Sequence, residues 1–138
     1  MKKKTWNCLS CGKENEFKGY SYANKYCDNK CQKDHEYRNY ITEWKEGNIT
    51  GTNKFGASKH IRRYVFEEQN NCCDSCGLDS WMGKSLVLEL DHIDGDHTNN
   101  SEENLRGLCP NCHSQTDTYK NRNLGNGRGY RNKYYTPV

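Results

Sequence analysis

Apolar positions are sparse along this chain, and where they recur they do so first with a helical period. Tyr37, Tyr40, Ile41 and Trp44 fall on one face and predict a helix over 32–44, ended by Gly47. Ile61 and Val65, with Tyr64 and Phe66 beside them, mark the buried side of a second helix that Ser58 caps and that runs to about residue 69. Lys59, Arg62 and Arg63 lie on its outer side, which reads as a solvated face or as a phosphate-contacting one. Over 85–90 the residues alternate and are mostly branched, the pattern of a strand. A polar loop follows over 93–104, and then Pro110 takes the first position of a short helix. That helix places Cys112 and His113 in its first turn, facing different ways.

These elements cannot bury much. Only 32% of the 138 residues are hydrophobic, so a large apolar core is excluded and small modules need a covalent or metal staple. Eight of the 9 cysteines form close pairs: Cys8 and Cys11, Cys27 and Cys31, Cys73 and Cys76, Cys109 and Cys112, leaving Cys72 over. Two or three residues between thiolates let both reach one tetrahedral ion from a tight turn, whereas a disulfide framework needs no such pairs. Two structural Zn²⁺ sites are therefore expected, Cys8, Cys11, Cys27 and Cys31 in one and Cys73, Cys76, Cys109 and Cys112 in the other. Four thiolates close the coordination shell, so these ions hold the fold and do no chemistry. Cys72 in place of Cys73 remains open at one residue's slip, and pairing across the two halves is less economical.

Reduced thiols in this pattern point to a cytosolic compartment. Lys2, Lys3 and Lys4 are followed by polar sequence rather than an apolar run, and Leu86-Val87-Leu88 is bracketed by Ser85 and Glu89, so neither a secretory signal nor a membrane span is expected. The formal charge is +3, and two four-thiolate zinc sites would bring it to −1, so net charge selects no partner. Its distribution says more. After Asp117 come Lys120, Arg122, Arg128, Arg131 and Lys133 without an acid, interleaved with Tyr119, Tyr130, Tyr134 and Tyr135, a composition suited to a phosphate backbone.

Leu90-Asp91-His92 ends the predicted strand, Asn104 lies 12 residues beyond His92, and His113 follows 9 residues later, directly after Cys112. An EF-hand reading of the acidic loop fails, because Gly95 would demand an acid where Leu90 stands. Taken together, Asp91-His92, Asn104 and His113, framed by two CxxC pairs, closely resemble the HNH nuclease family over roughly 73–123. More loosely, the run Leu88-Glu89-Leu90-Asp91-His92-Ile93-Asp94-Gly95-Asp96 and the added cysteine module resemble HNH proteins of phages and bacteria.

That resemblance implies a ββα-metal fold in which a hairpin and a helix present these side chains to one divalent cation. His92 would activate water, Asp91 and His113 would bind the ion, and Asn104 would bond the backbone near His92 and hold the imidazole in orientation. Neighbouring strand residues face opposite ways, so Asp91 and His92 can share one site only if the strand end is irregular. Hydrolysis of a phosphodiester agrees with this set, since it needs a base near neutrality and positive charge where the phosphorane gathers negative charge. Carboxylate ligation favours Mg²⁺ or Mn²⁺, and an imidazole ligand also tolerates Ni²⁺ or Zn²⁺. His97 reads as a solvated loop residue, and His35 and His60 as structural.

The chain is thus expected to be a small, irregular α+β protein: a zinc ribbon or knuckle over 1–34, a helical connector over 35–70, the nuclease domain over 71–124 and a basic aromatic tail over 125–138. Its partner would be double-stranded DNA, with Arg106, Lys120, Arg122, Arg128, Arg131 and Lys133 as backbone contacts and the protein a monomer or transient dimer. A phage homing or mobile endonuclease is the first choice of role. The rival of another class is a catalytically inactive zinc-stapled nucleic-acid-binding protein, which explains the cysteines and the tail but not the four site residues together.

Overall fold

A computed structural model describes residues 1–19, 23–54 and 56–123. The chain divides after Glu46 into two compact units. Its described residues form a small mixed α/β structure with three α-helices and short paired strands, and no helix is long and apolar enough to cross a membrane.

The first unit is built from a hairpin and a helix. Strands β1 (Thr5–Asn7) and β2 (Glu14–Glu16) pair antiparallel, with Trp6 opposite Asn15. Between them the chain makes a tight turn in which Gly12 N–H donates to the Cys8 carbonyl and Cys8 N–H to the Lys13 carbonyl, each at 2.9 Å. Gly12 has φ +74°, where a Cβ would be strained. Helix α1 (Asn29–Lys45) begins three residues earlier than its apolar spacing predicts, because the Asp28 carboxylate caps it by accepting from Cys31 N–H. Arg38 ties the helix to the cysteine turn, donating to the Ser10 carbonyl at 2.8 Å and hydroxyl at 2.9 Å. Ile41 and Trp44 are its buried residues, as their spacing required.

In the second unit, β3 (Thr52–Asn53) pairs with β4 (Gly56–Ala57), and Ser58 caps α2 (Lys59–Glu68) by accepting from Ile61 N–H. Ile61, Tyr64 and Val65 are buried, and Lys59, Arg62 and Arg63 are exposed. The two helices expected as one connector fall in different units, α1 in the first and α2 in the second. The strand expected over 85–90 forms differently. A small hairpin, β5 (Ser80–Trp81) with β6 (Lys84–Ser85), takes its start, Leu86 N–H continues it onto the Asp79 carbonyl, Val87 and Leu88 lie outside the strands, and β7 covers Glu89–His92. The reason is the partner. Strand β8 (Leu105–Leu108) supplies a four-residue ladder, Glu89 opposite Leu108 through His92 opposite Leu105, and nothing to pair with 86–88. Leu88 instead enters the core with Cys73, Leu108 and Cys109, flanked by Phe66, Leu86 and Cys112. The five-residue helix α3 (Pro110–Ser114) follows β8 at once, with Pro110 in its first turn and the Cys109 sulfur accepting from Cys112 N–H.

The side chain of Gln69, at the end of α2, bonds that helix to β8. The Gln69 amide accepts from Gly107 N–H at 2.7 Å and donates to the Gly107 carbonyl at 2.9 Å, filling the place of a neighbouring strand. Gly107 must be glycine, since a Cβ there would lie 2.7 Å from the Phe66 ring.

The two cysteine quartets assemble as expected, and Cys73 rather than Cys72 belongs to the second. The Cys72 thiol faces the Asn70 carbonyl at 3.5 Å. In each quartet the ligand atoms all lie within 4.8 Å of one another. Cys11 and Cys27 sulfurs are 3.7 Å apart and those of Cys76 and Cys109 3.9 Å apart, against about 3.8 Å for the edge of a tetrahedron with Zn–S bonds of about 2.3 Å. Both quartets fit zinc. They are also polarised alike: burial raises the Cys8 and Cys73 thiols, but backbone N–H groups of the cysteine turn and of the opposite pair outweigh it and bring each down to about 6. Cys31 is pushed up to about 12, first by burial and then by neighbouring thiols, and Cys112 to about 12, first by the Cys109 thiol and then by burial.

Two outcomes follow from these contacts. Gly107→Ala should lower stability by about 1–3 kcal/mol through overpacking on Phe66, read as a fall in the denaturation midpoint at unchanged zinc content. Because Cys31 and Cys112 hold their protons in the metal-free protein, Zn²⁺ loading should release protons and tighten as pH rises through neutrality, which a pH-indicator titration of the apo-protein measures.

Candidate active site

Strand β7 lays out the site. Side chains two apart on a strand share a face, which brings Glu89 and Asp91 together beneath α3. His113, one residue after Cys112 in the last turn of α3, reaches both: Glu89 Oε2 accepts from Nδ1, and Nε2 lies 3.6 Å from Asp91 Oδ1. The Glu89 bond holds the proton on Nδ1 and turns the Nε2 lone pair toward Asp91, the tautomer a metal-binding imidazole needs. Two ligand atoms 3.6 Å apart fit one ion with bonds of about 2.1 Å at an open angle. Asp91 is 4% exposed, and its second oxygen accepts from Arg106 Nε at 2.8 Å across the β7–β8 ladder. That pairing gives the buried carboxylate a partner and fixes its orientation.

His92 stands next along the strand. The ladder stays regular through His92 opposite Leu105, so the irregular strand end expected there starts only in the following turn, where Gly95 N–H donates to the His92 carbonyl. Asp91, His92 and His113 nevertheless line one polar cavity of about 190 Å³, with Leu90, Gly95, His97, Thr118 and Asn123. His97 therefore belongs to the cavity wall rather than to a solvated loop. His92 Nε2 bonds to the Asn100 amide oxygen at 2.7 Å.

Asn104 is 7% exposed and holds the loop between the strands closed. Its Oδ1 accepts from Asp94 N–H at 3.0 Å, and its Nδ2 donates to Asp94 Oδ1 at 2.9 Å and to the Asn99 carbonyl at 2.8 Å. Its own carbonyl accepts from Ile93 N–H and its N–H donates to the Ser101 carbonyl, so Asn104 ties the residues just after His92 to the far side of the loop. Partial burial raises the Asp94 carboxyl, but bonds from Asn99, from Asp96 N–H and from Asn104 more than offset this and leave it below its ordinary value. Gly95, at φ +75°, sits under Asn123, whose amide donates to the Gly95 carbonyl at 2.7 Å; a Cβ at Gly95 would meet that amide at 2.5 Å.

The basic residues are placed unevenly. Arg106 is turned onto Asp91 with its side chain 30% exposed. Arg122 donates to the Ser114 and Thr116 carbonyls at 2.9 and 2.8 Å, closing the C-terminal end of α3. Lys120 is exposed, its ammonium 5.0 Å from the centre of the Tyr119 ring. Arg128, Arg131 and Lys133 lie outside the described residues. Three contributors were not singled out by the sequence reading: Glu89, Asn100, and Thr52, which accepts from Asn100. Glu89 carried a usable signal, its position two before Asp91 on a strand.

A 53-residue segment is 55% identical to H-N-H endonuclease F-TflIV of Escherichia phage T5, covering 38% of this chain and 23% of that protein. The segment is similar to an H-N-H endonuclease, the family that the Asp91-His92, Asn104 and His113 pattern resembles, and it spans under a quarter of the phage protein. No family model and no solved structure matches the chain.

Asn104→Ala removes three side-chain bonds from the loop and should cost about 1–3 kcal/mol, with faster amide exchange at Asp94 and both zinc ions retained. Hydrogen–deuterium exchange with a zinc assay checks it.

Proposed function

We propose that this chain is a divalent-metal-dependent DNA endonuclease that hydrolyses phosphodiester bonds at the cavity between β7 and α3. One observation carries the reading: Asp91 Oδ1 and His113 Nε2 face each other at 3.6 Å, and His92 lines the same cavity. Asp91 and His113 would hold one Mg²⁺ or Mn²⁺, with Ni²⁺ or Zn²⁺ tolerated by the imidazole. When bound, that ion supplies positive charge to the phosphate oxygens as the phosphorane forms. His92 takes the proton of the attacking water. Arg106 and Glu89 keep the two ligands aimed, and Asn104 keeps the loop from letting His92 swing away. Hydrolysis leaves a 5′-phosphate and a 3′-hydroxyl, as the family resemblance implies.

The substrate is double-stranded DNA. The zinc-stapled first unit lengthens the contacted duplex, and Lys120, Arg122, Arg128, Arg131 and Lys133 meet its backbone. A homing or mobile endonuclease acting in the cytosol of a bacterium or phage-infected host suits this arrangement, since an added binding module extends the recognised site.

Incubation of supercoiled plasmid with Mg²⁺ or Mn²⁺ tests the proposal. The intact protein should nick, and His92→Ala, after both proteins are shown to carry two zinc ions, should lose about a hundredfold or more of the rate. If neither protein cuts while both bind DNA, the chain is a zinc-stapled binding module without catalysis.

A further inference from the structure

Asn100 is a buried side chain that the site chemistry described so far leaves without a role. It is 3% exposed, and a buried amide is costly unless its donors and acceptor are engaged. Its Nδ2 donates to Thr52 Oγ1 at 2.9 Å and lies 3.5 Å from the His97 carbonyl, an atom that can only accept. The amide nitrogen is therefore fixed on that side, and the oxygen must face His92 Nε2, where it lies at 2.7 Å. An amide oxygen accepts and never donates, so in the neutral imidazole the proton sits on Nε2 and the lone pair on Nδ1.

We propose that Asn100, anchored by Thr52 of β3, is a positioning residue for His92: its amide oxygen holds the Nε2 proton and leaves Nδ1 as the nitrogen that receives the water proton. The inference rests on the reading of His92 as the base, but its structural half stands apart from it. It also gives the β3–β4 hairpin a task. Thr52 lies 48 residues before Asn100 and outside the β7–β8–α3 segment, so the hairpin buttresses the base from behind. Without that anchor the Asn100 amide can turn over, presenting a donor to His92 and selecting the other tautomer.

The tautomer of His92 is measured directly by long-range ¹H–¹⁵N correlation on the ¹⁵N-labelled, zinc-loaded full chain, at a pH where the imidazole is neutral. The wild type should show the Nε2–H pattern. Asn100→Ala should lose it and lower kcat for plasmid nicking by about 10- to 100-fold with KM unchanged. Asn100→Asp keeps an acceptor and should retain the Nε2–H pattern and most of kcat. Thr52→Val, which removes only the anchor, should shift both readouts in the same direction by less. An Nδ1–H pattern in the wild type overturns the proposal, as does an Asn100→Ala protein with wild-type tautomer and kcat. A wild type that shows Nε2–H but never nicks tells against the nuclease reading while supporting the tautomer assignment, so the two failures are distinguishable.

Discussion

Two turns far apart in sequence bring four sulfurs together in the second unit: Cys73 and Cys76 before the β5–β6 hairpin, Cys109 and Cys112 where β8 gives way to α3. Almost everything else in that unit depends on this junction. Few apolar side chains are available, and Cys73 and Cys109 are themselves core residues beside Leu88 and Leu108. A metal bridging the four thiolates would close the loop of chain between the two pairs and supply cohesion that hydrophobic burial cannot. It also sets the position of α3, a helix of five residues with no buried residue of its own. Since His113 directly follows Cys112, whatever fixes the sulfur fixes the imidazole.

The first unit repeats the device. Cys8-Leu9-Ser10-Cys11-Gly12 and Cys73-Asp74-Ser75-Cys76-Gly77 make the same turn, with glycine at φ +74° in both and its N–H on the first cysteine's carbonyl. Each second pair then meets the start of a helix, Cys31 under the Asp28 cap of α1 and Cys112 under the Cys109 cap of α3. The parallel extends to the thiols, with Cys8 and Cys73 drawn down and Cys31 and Cys112 pushed up. The copies part after the last cysteine. Gln32 follows Cys31 where His113 follows Cys112, and the first unit has no counterpart of Asp91-His92 in its hairpin, so one scaffold carries the site residues and the other does not.

Local signals were readable from the chain because they depend on neighbours in sequence. The Ser58 cap, the buried face of α2, Pro110 at the start of α3 and the cysteine quartets are of this kind. The family resemblance likewise pointed to Asp91, His92 and His113, which line one cavity, and to Asn104, which bonds across the loop beside it. Hidden from it was everything that needs a partner across the fold. Arg106 reads as a phosphate contact until the register puts it opposite Asp91, and Asn100 reads as a loop residue until Thr52 arrives beside it. The strand over 85–90 was displaced for the same reason, since pairing is decided by β8 rather than by the apolar run itself. Gln69, standing in for a strand beside Gly107, has no sequence signature at all.

The central claim is that Asp91 and His113 share one divalent ion on a scaffold that zinc holds together. Mn²⁺ titration followed by electron paramagnetic resonance tests it most directly, because Zn²⁺ is silent and free Mn²⁺ is counted from its signal. The zinc-loaded protein should bind one Mn²⁺, and Asp91→Ala and His113→Ala, each still carrying two zinc ions, should both abolish that binding. Undiminished Mn²⁺ binding in either variant would contradict the account.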